Sequence, residues 1–185
     1  MSSSAEKIDR IRNLDWSGLR NFWNGILSGE TPGWPAGKAL EHLVLRAFEL
    51  DGAEIAWPFE VEISGEKVEQ IDGVVYVESL SCILECKDTA DRVNTEPIAK
   101  LRNQLLRRPS GILGSVINKN GFTDSAITLS RFLAPQAILL WDGNEIGAAL
   151  QKETISSVLR EKYRYLVENA IPYFRVTEIT EEDIP

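Results

Sequence analysis

The chain has 185 residues and a net charge of −8, a size that fits one globular domain or one domain with a small appendage. Hydrophobic residues make up 43% of it and charged residues 26%, which excludes a disordered or fibrous protein. No run approaches the ~18 apolar residues of a membrane-spanning helix, and the start lacks a signal-peptide pattern, so we expect a cytoplasmic protein with no membrane contact. Two cysteines and one histidine exclude the usual disulfide frameworks and Cys/His zinc sites.

The negative charge is unevenly distributed along the chain. Residues 87–131 contain eight basic and four acidic residues, a net of +4, so the remainder carries −12. An acidic protein repels polyanions in general, but this asymmetry predicts one basic face on an acidic body.

Two amphipathic helices are predicted ahead of the first strands. Apolar residues recur every three or four positions from Trp16 to Leu27, and again in residues 36–50. A loop rich in Gly and Pro separates the two helices. We assign residues 1–29 to an N-terminal helical extension, which either packs on the rest or serves a partner, and residues 30–185 to one compact domain.

The remaining elements predict an α/β fold. Three segments with strand character come first and are separated by short turns, which predicts an antiparallel meander: Glu54 to Ile63, Val68 to Val77 and Leu80 to Lys87. Helices and strands then alternate: helix Thr95 to Arg108, strand Ile112 to Ile117, helix Thr123 to Leu133, strand Ala137 to Trp141, helix Thr154 to Asn169 and strand Tyr173 to Ile179. We therefore expect a central mixed β-sheet, a meander followed by right-handed crossovers, flanked by helices.

Charged residues collect where the second and third predicted strands meet. Asp72 stands among apolar residues of the second strand, where an acid is unfavourable unless something compensates it. Glu85 and Lys87 end the third strand on one face, because side chains alternate along a strand, while Cys86 points to the other face. A hairpin through Glu78-Ser79 would bring Asp72 and Glu85 to the same end of the sheet.

This cluster predicts a metal site. Two neighbouring carboxylates repel each other unless a cation lies between them. Mg²⁺ prefers hard oxygen ligands and is often held by one or two carboxylates together with a substrate phosphate. Asp72 and Glu85 are the predicted ligands of Mg²⁺, for which Mn²⁺ could substitute, with the backbone carbonyl of Cys86 as a further ligand. Lys87 would then orient or deprotonate the attacking water, or neutralise the phosphate, in phosphodiester hydrolysis.

The spacing of Asp72, twelve residues and then Glu85-Cys86-Lys87 resembles the motif of the PD-(D/E)xK nuclease superfamily, whose fold is called restriction-endonuclease-like. Glu41, in GKALEHLVLRAFEL, matches the helical glutamate that many of these nucleases use as a further metal or water ligand. The segments PIAKLRNQLLRRP, GFTDSA and AILLWDG resemble the Mrr-type branch of restriction endonucleases. This resemblance covers about residues 37–149 and implies Mg²⁺-dependent cleavage of DNA, with Asp72, Glu85, Lys87 and Glu41 as catalytic residues.

The helix after the motif predicts a nucleic-acid-binding surface, although a solvated helix face is the alternative. Contacts to phosphates would position the polymer without reading its sequence. The candidates are Lys100, Arg102, Gln104, Arg107, Arg108 and Lys119. We interpret His42 as a structural or surface residue, Cys82 and Cys86 as core residues, and Trp34 and Trp57 as apolar anchors.

Three functions remain open from the sequence. The first is a Mg²⁺-dependent endonuclease of DNA that acts in restriction, repair or other defence; because one site cuts one strand, double-strand cleavage would need a homodimer or a larger complex. The second is a catalytically silent nucleic-acid-binding or assembly subunit of a defence or repair complex. The acidic body and the lack of room for a separate DNA-reading domain favour it. The third is cleavage of RNA.

Overall fold

Seven helices and seven strands form in the part of the chain that the structure describes, which is residues 4–35, 37–57, 59–63 and 66–176 of a computed structural model. In chain order they are α1 (Ser4–Arg12), α2 (Trp16–Ser28), α3 (Lys38–Leu50), β1 (Glu54–Ala56), β2 (Phe59–Ile63), β3 (Glu66–Ile71), β4 (Gly73–Val77), β5 (Leu80–Lys87), α4 (Thr95–Leu105), β6 (Leu113–Asn118), α5 (Asp124–Ser130), β7 (Ile138–Asp142), α6 (Gly143–Lys152) and α7 (Ile155–Asn169). Within these ranges no helix is long and apolar enough to cross a membrane.

Five strands form the central sheet in the order β1, β4, β5, β6, β7. The first three pair antiparallel, whereas β5, β6 and β7 pair parallel. Parallel neighbours need a crossover connection, and α4 and α5 provide the two crossovers. The predicted α/β fold, a mixed sheet of meander and crossover strands flanked by helices, is confirmed.

The first two predicted strands are each broken in two, which corrects the predicted meander. The segment predicted from Glu54 to Ile63 forms β1 and β2, and that predicted from Val68 to Val77 lies largely in β3 and β4. Strands β2 and β3 form a separate two-stranded ribbon with a register shift between Val61 and Glu62. Asp72 lies in the break between β3 and β4 and not within a strand. Apolar residues occur in the sequence of both halves, so a period of two does not reveal such a break.

Further differences lie near the carboxyl end. Residues 173–176 form no strand, so this part of the strand predicted from Tyr173 to Ile179 is wrong, and residues 177–179 lie outside the described residues. One backbone hydrogen bond, from Leu140 N–H to the Pro172 carbonyl, joins this segment to β7, while the Phe174 carbonyl accepts from Lys162. Helices α1 and α6 were not predicted, and α6 starts directly after β7 because the Asp142 side chain caps it.

Two hydrophobic cores lie on opposite faces of the sheet. Alternate residues of β5 separate between them: Cys82 and Cys86 join one core and Ile83 the other, so the cysteines pack as predicted. The larger core contains buried residues of α1, α2, α3, α6 and α7, and the smaller one contains those of α4 and α5. The N-terminal helices therefore pack on the rest of the molecule, while the domain boundary at residue 29 stays a prediction.

A buried ion pair holds the segment after α7. The Lys162 ammonium lies 2.8 Å from a Glu145 carboxylate oxygen, with the two side chains 1% and 0% exposed. Lys162 also donates to the Phe174 carbonyl, and Glu145 accepts from the Val176 backbone N–H. Losing one partner would leave the other charge buried and uncompensated, so the pair holds residues 174–176 against α6 and α7.

Candidate active site

The break before β4 brings Asp72 beside the end of β5. Gly73 pairs with Leu84 in the antiparallel ladder, which places the preceding residue, Asp72, next to Glu85. One oxygen of Asp72 accepts a hydrogen bond from the backbone N–H of Cys86 at 2.7 Å. The structure therefore brings together the two carboxylates that the sequence predicted to meet.

Two lysines neutralise the buried carboxylate of Glu85. Lys87 Nζ lies 2.7 Å from one oxygen, and the Glu85 side chain is 1% exposed. Lys100, from α4, donates to both oxygens at 2.9 and 2.7 Å. A carboxylate this deeply buried is stable only when it is paired, so the two ammonium groups account for its position. The predicted placement of Glu85 and Lys87 on one face of the strand agrees with this contact.

The protonation state of Lys87 limits what it can do. Burial lowers the pKa of Lys87, but the hydrogen bond to Glu85 and the negative charges of Glu85 and Asp72 outweigh burial and raise the pKa above its usual value of 10.5. Lys87 is thus protonated at neutral pH. An ammonium group in this state can orient water or neutralise a phosphate, whereas removal of a proton from water would require Lys87 to lose its own proton first.

Glu41 reaches the same cluster from the first turn of α3. It is buried, accepts a hydrogen bond from Trp57 Nε1 at 3.1 Å, and forms an ion pair with Lys38 one turn earlier. Burial raises the pKa of Glu41, and the nearby charge of Asp72 raises it further. Glu41 and Asp72 are therefore close enough to repel each other.

The carboxylates of Glu41 and Glu85 are buried more deeply than the lysines that pair with them. Burial raises the pKa of Asp72, the hydrogen bond from Cys86 lowers it, and the charge of Glu85 raises it again, with a net increase. Within the described ranges, no three His, Cys, Asp or Glu side chains are close enough together to hold a metal ion as they stand. The donors are nonetheless hard carboxylate oxygens, and burial together with the charge of a neighbouring carboxylate raises the pKa values of Asp72 and Glu41. These residues fit a divalent cation such as Mg²⁺.

The Cys86 thiol takes no part in this chemistry. Burial, followed by the negative charges of Asp72 and Glu41, raises the pKa of Cys86 well above its usual range. The thiol is therefore neutral and packs in the larger core. The role of the Cys86 backbone carbonyl as a metal ligand stays a prediction.

Four of the predicted nucleic-acid-binding residues lie at or near the surface of α4 and the turn that follows it. Lys100 is close to half exposed beside Glu85, and Arg107 is exposed. Arg102 and Arg108 are partly buried, and Arg108 donates to the Gln104 carbonyl. These positions are compatible with contacts to a polymer, and their roles stay predictions.

The other two candidates are held internally. Gln104 is 3% exposed, and its amide nitrogen lies 3.5 Å from the Gln70 carbonyl oxygen. Lys119 Nζ lies 2.7 Å from an Asp88 oxygen and donates to the Ile26 carbonyl at 2.8 Å. Lys119 thus joins the end of α2 to the end of β5, and its predicted contact with nucleic acid would require it to exchange partners.

Sequence reasoning missed two supporting residues. Lys38 pairs with Glu41, and a helical i,i+3 spacing of opposite charges was the available signal. Asn118 ends β6 beside the end of β5, where its amide donates to the Lys87 carbonyl at 2.7 Å and to Thr89 Oγ1 at 3.0 Å. The sequence signal for Asn118 was its place as a polar residue at the end of an apolar strand, β6, which pairs with the strand that carries Glu85 and Lys87.

The aromatic residues near Glu41 pack against one another. His42 is buried, with its ring 4.8 Å from that of Trp34 and 4.3 Å from that of Trp57. Trp34 is buried as well. These rings pack edge to face against one another, which agrees with the interpretation of His42 as a structural residue.

A mixed sheet with acidic residues and a lysine at the adjoining ends of two antiparallel strands is the arrangement expected of a restriction endonuclease-like domain. Residues 36–150 match the Mrr_cat restriction endonuclease family, which is more than half of the chain. The chain therefore belongs to this family, and the resemblance drawn from its motif is confirmed.

The solved structures that are similar to this chain include a protein of unknown function and a restriction endonuclease. One is a protein of unknown function, AF1548, which is 17% identical, with 70% of this chain and 76% of that chain covered and a TM-score of 0.47. The other is the MspJI restriction endonuclease in complex with a 27-mer oligonucleotide, which is 15% identical, with 95% of this chain and 40% of that chain covered and a TM-score of 0.43. This chain thus spans less than half of the MspJI chain. No curated protein matches.

Proposed function

We propose that the protein is a metal-dependent endonuclease that hydrolyses phosphodiester bonds of DNA. The observation that carries the proposal is the contact of Glu85 with Lys87 at 2.7 Å beside Asp72, in a chain of a restriction endonuclease family. Buried acids next to a lysine at one sheet end suit an anionic substrate bound through a cation.

Each residue of the cluster has a distinct task in this proposal. Asp72 and Glu85, with the Cys86 carbonyl, would hold Mg²⁺ or Mn²⁺, and Glu41 would support a second ion or the water. A bound ion of this kind polarises the phosphate and lowers the pKa of water. Lys87, protonated beside Glu85, holds the water or stabilises negative charge on the phosphate.

The family supports the proposed substrate and context. We propose DNA ahead of RNA because the family is one of restriction endonucleases, and we propose a role in restriction or a related defence in the cytoplasm. The exposed basic side chains of α4 and the turn after it would bind phosphates beside the cut. One site cuts one strand, so a homodimer or a larger complex would be needed to cut both.

Cleavage of supercoiled plasmid with Mg²⁺ or Mn²⁺ tests the proposal. The wild-type protein should produce nicked and linear DNA, and Lys87→Ala should reduce the rate by about 100-fold or more. Lys152→Ala, an exposed lysine of α6, is the matched control and should cut at the wild-type rate. Equal cutting by Lys87→Ala, or no cutting with either ion, would contradict the proposal. An RNA substrate in the same assay tests the third function.

One observation favours the silent binding subunit as a second candidate. Lys100 engages both oxygens of Glu85, so this carboxylate already has a cationic partner without a metal ion. Calorimetric titration with Mn²⁺ separates the two candidates. An endonuclease should bind Mn²⁺ and lose that binding in Asp72→Ala, whereas a silent subunit should bind nucleic acid and show no Mn²⁺ binding in either protein.

A further inference from the structure

A polar pocket of about 290 Å³ lies at the carboxyl ends of β6 and β7, outside the carboxylate cluster. Its lining includes Arg92, Lys119, Asn120, Asn144, Tyr173 and Arg175. This volume is near the lower limit of ~300 Å³ for small-ligand sites. Open α/β sheets bind ligands in the crevice outside the carboxyl ends of their strands, which is where this pocket lies.

The pocket lies close to the candidate active site. Lys87, Asn118 and Asp142 end three neighbouring parallel strands in register. Strands of a sheet lie ~4.8 Å apart, so the backbone at Asp142 is roughly 10 Å from that at Lys87. Arg92 lines this pocket and also lines an adjoining depression of about 390 Å³ that includes Lys87 and Lys100. Arg92 therefore stands where the two depressions meet.

The loop that carries Arg92 is fixed on both sides. Asn120 donates its amide to the carbonyls of Thr89 at 2.7 Å and Ala90 at 3.0 Å. On the other side, the Val93 N–H donates to the Gly121 carbonyl at 2.9 Å, and the Thr123 N–H donates to the Val93 carbonyl at 3.0 Å. The exposed side chain of Arg92 is thus held on an ordered backbone, which reduces the entropy lost when it binds an anion.

The acid inside the pocket is already neutralised. Asp142 accepts hydrogen bonds from the Tyr173 hydroxyl and the Arg175 guanidinium. Burial raises the pKa of Asp142, but these hydrogen bonds outweigh burial and lower it. Lys119 is likewise paired, with Asp88, and Asp124 lies exposed on the rim. The positive charge that the pocket offers to a ligand is therefore concentrated on Arg92, and the negative charge of Asp124 on the rim opposes it.

We propose that this pocket binds a nucleotide that flanks the scissile phosphate on the same nucleic-acid strand. Arg92 contacts the phosphate of that nucleotide, and the half-buried ring of Tyr173 lies against its sugar. Basic groups that track the backbone together with an aromatic wall are typical of strand-binding grooves. The proposal deepens the proposed function and rests on it, since it names a second contact of the same substrate.

Salt-dependent binding of a fluorescein-labelled DNA duplex tests the proposal. All proteins carry Lys87→Ala so that cleavage does not consume the duplex, and anisotropy is measured over a range of salt concentrations. Each phosphate contact contributes about 0.9 to the slope of log K against log salt, or about eightfold in affinity per tenfold change in salt. Arg92→Ala should lower the slope by about 1 and weaken binding up to about eightfold at 0.1 M salt. Arg92→Lys keeps the charge and should restore most of the slope.

Arg164→Ala is the matched control, because it removes an exposed arginine from α7. It should leave both the affinity for the duplex and the salt slope unchanged. The inference is overturned, with the proposed function intact, if Arg92→Ala binds like Arg164→Ala. It is also overturned if Arg92→Lys binds the duplex as weakly as Arg92→Ala while both keep the salt slope of the protein with Arg92. That result would indicate a structural role for Arg92. If none of the proteins bound the duplex, the proposal that nucleic acid is the substrate would be overturned.

Discussion

Buried charge and its compensation determine the state of each residue in the candidate site. Glu85 has two lysine partners, and Glu41 has Lys38 and the indole N–H of Trp57. Asp72 accepts from a backbone N–H, which carries only a partial charge. The raised pKa values of Asp72 and Glu41, caused first by burial, therefore mark where a cation would be most stabilising.

Replacing Glu41 with Gln is expected to raise the free energy of unfolding at neutral pH. Burial raises the pKa of Glu41 above its usual value of 4.5, so its ionised form is less favourable in the folded chain than in the unfolded chain. This cost is absent below the unfolded-state pKa and complete above the folded-state pKa. The amide keeps an oxygen for Trp57 and removes the charge.

Urea unfolding of Glu41→Gln and the wild type at acidic and at neutral pH measures this difference. The free energies of unfolding of the two proteins should converge as the pH falls below the usual pKa of glutamate. Glu49→Gln, on the same helix and one-third exposed beside Arg46, is the control and should lack the gain. A lower free energy of unfolding for Glu41→Gln at neutral pH would show that the Lys38 pair outweighs burial.

Outside the carboxylate cluster, helix α6 packs closely on the turn after β6, and this contact restricts the residue type at the start of the helix. Helix α6 starts directly after β7, and its first residue, Gly143, packs on the turn that follows β6. A Cβ atom at Gly143 would clash with the backbone carbonyl oxygen of Lys119. Backbone cannot move aside as a flexible side chain can, so this junction requires glycine.

Gly143→Ala is therefore expected to destabilise the protein by about 1–3 kcal/mol or more. The clash would move the turn that carries Lys119 away from α6. Urea unfolding checks the loss of stability, with Asn144→Ala as the control because Asn144 is the next residue of the helix and is exposed. If both variants unfold at the same urea concentration, the close packing of α6 on this turn is not important for stability.

Across the whole molecule, the described residues contain one cluster that matches the nuclease motif. Hydrolysis at one site cuts one strand, so linear plasmid requires two events. We expect nicked plasmid to accumulate before linear plasmid at low protein concentration, and linear product to appear directly where the chain self-associates. Plasmid gels alongside sedimentation measurements over the same concentrations check this, with Lys87→Ala as the inactive control. If a monomer formed linear plasmid with no nicked plasmid before it, this expectation would be contradicted.

The sequence by itself determined the elements whose signals are local. The helical period of α2 and α3, the turn at Glu78, and the alternation along β5 depend on neighbouring residues. The contact of Asp72 with the end of β5 belongs here as well, because a tight hairpin joins β4 to β5 and sets their register.

Only the tertiary structure decided which charges meet across long stretches of chain. It broke the meander at Asp72, brought Lys100 to Glu85, and tied Lys119 to Ile26 and Asp88. It also placed Arg92 at the junction of two depressions. These contacts depend on how α2 and α4 pack on the sheet, and no local period encodes a partner that is distant in sequence. The sequence therefore determined the α/β fold and the acidic motif, whereas packing determined the counter-ions of that motif and the surface around it.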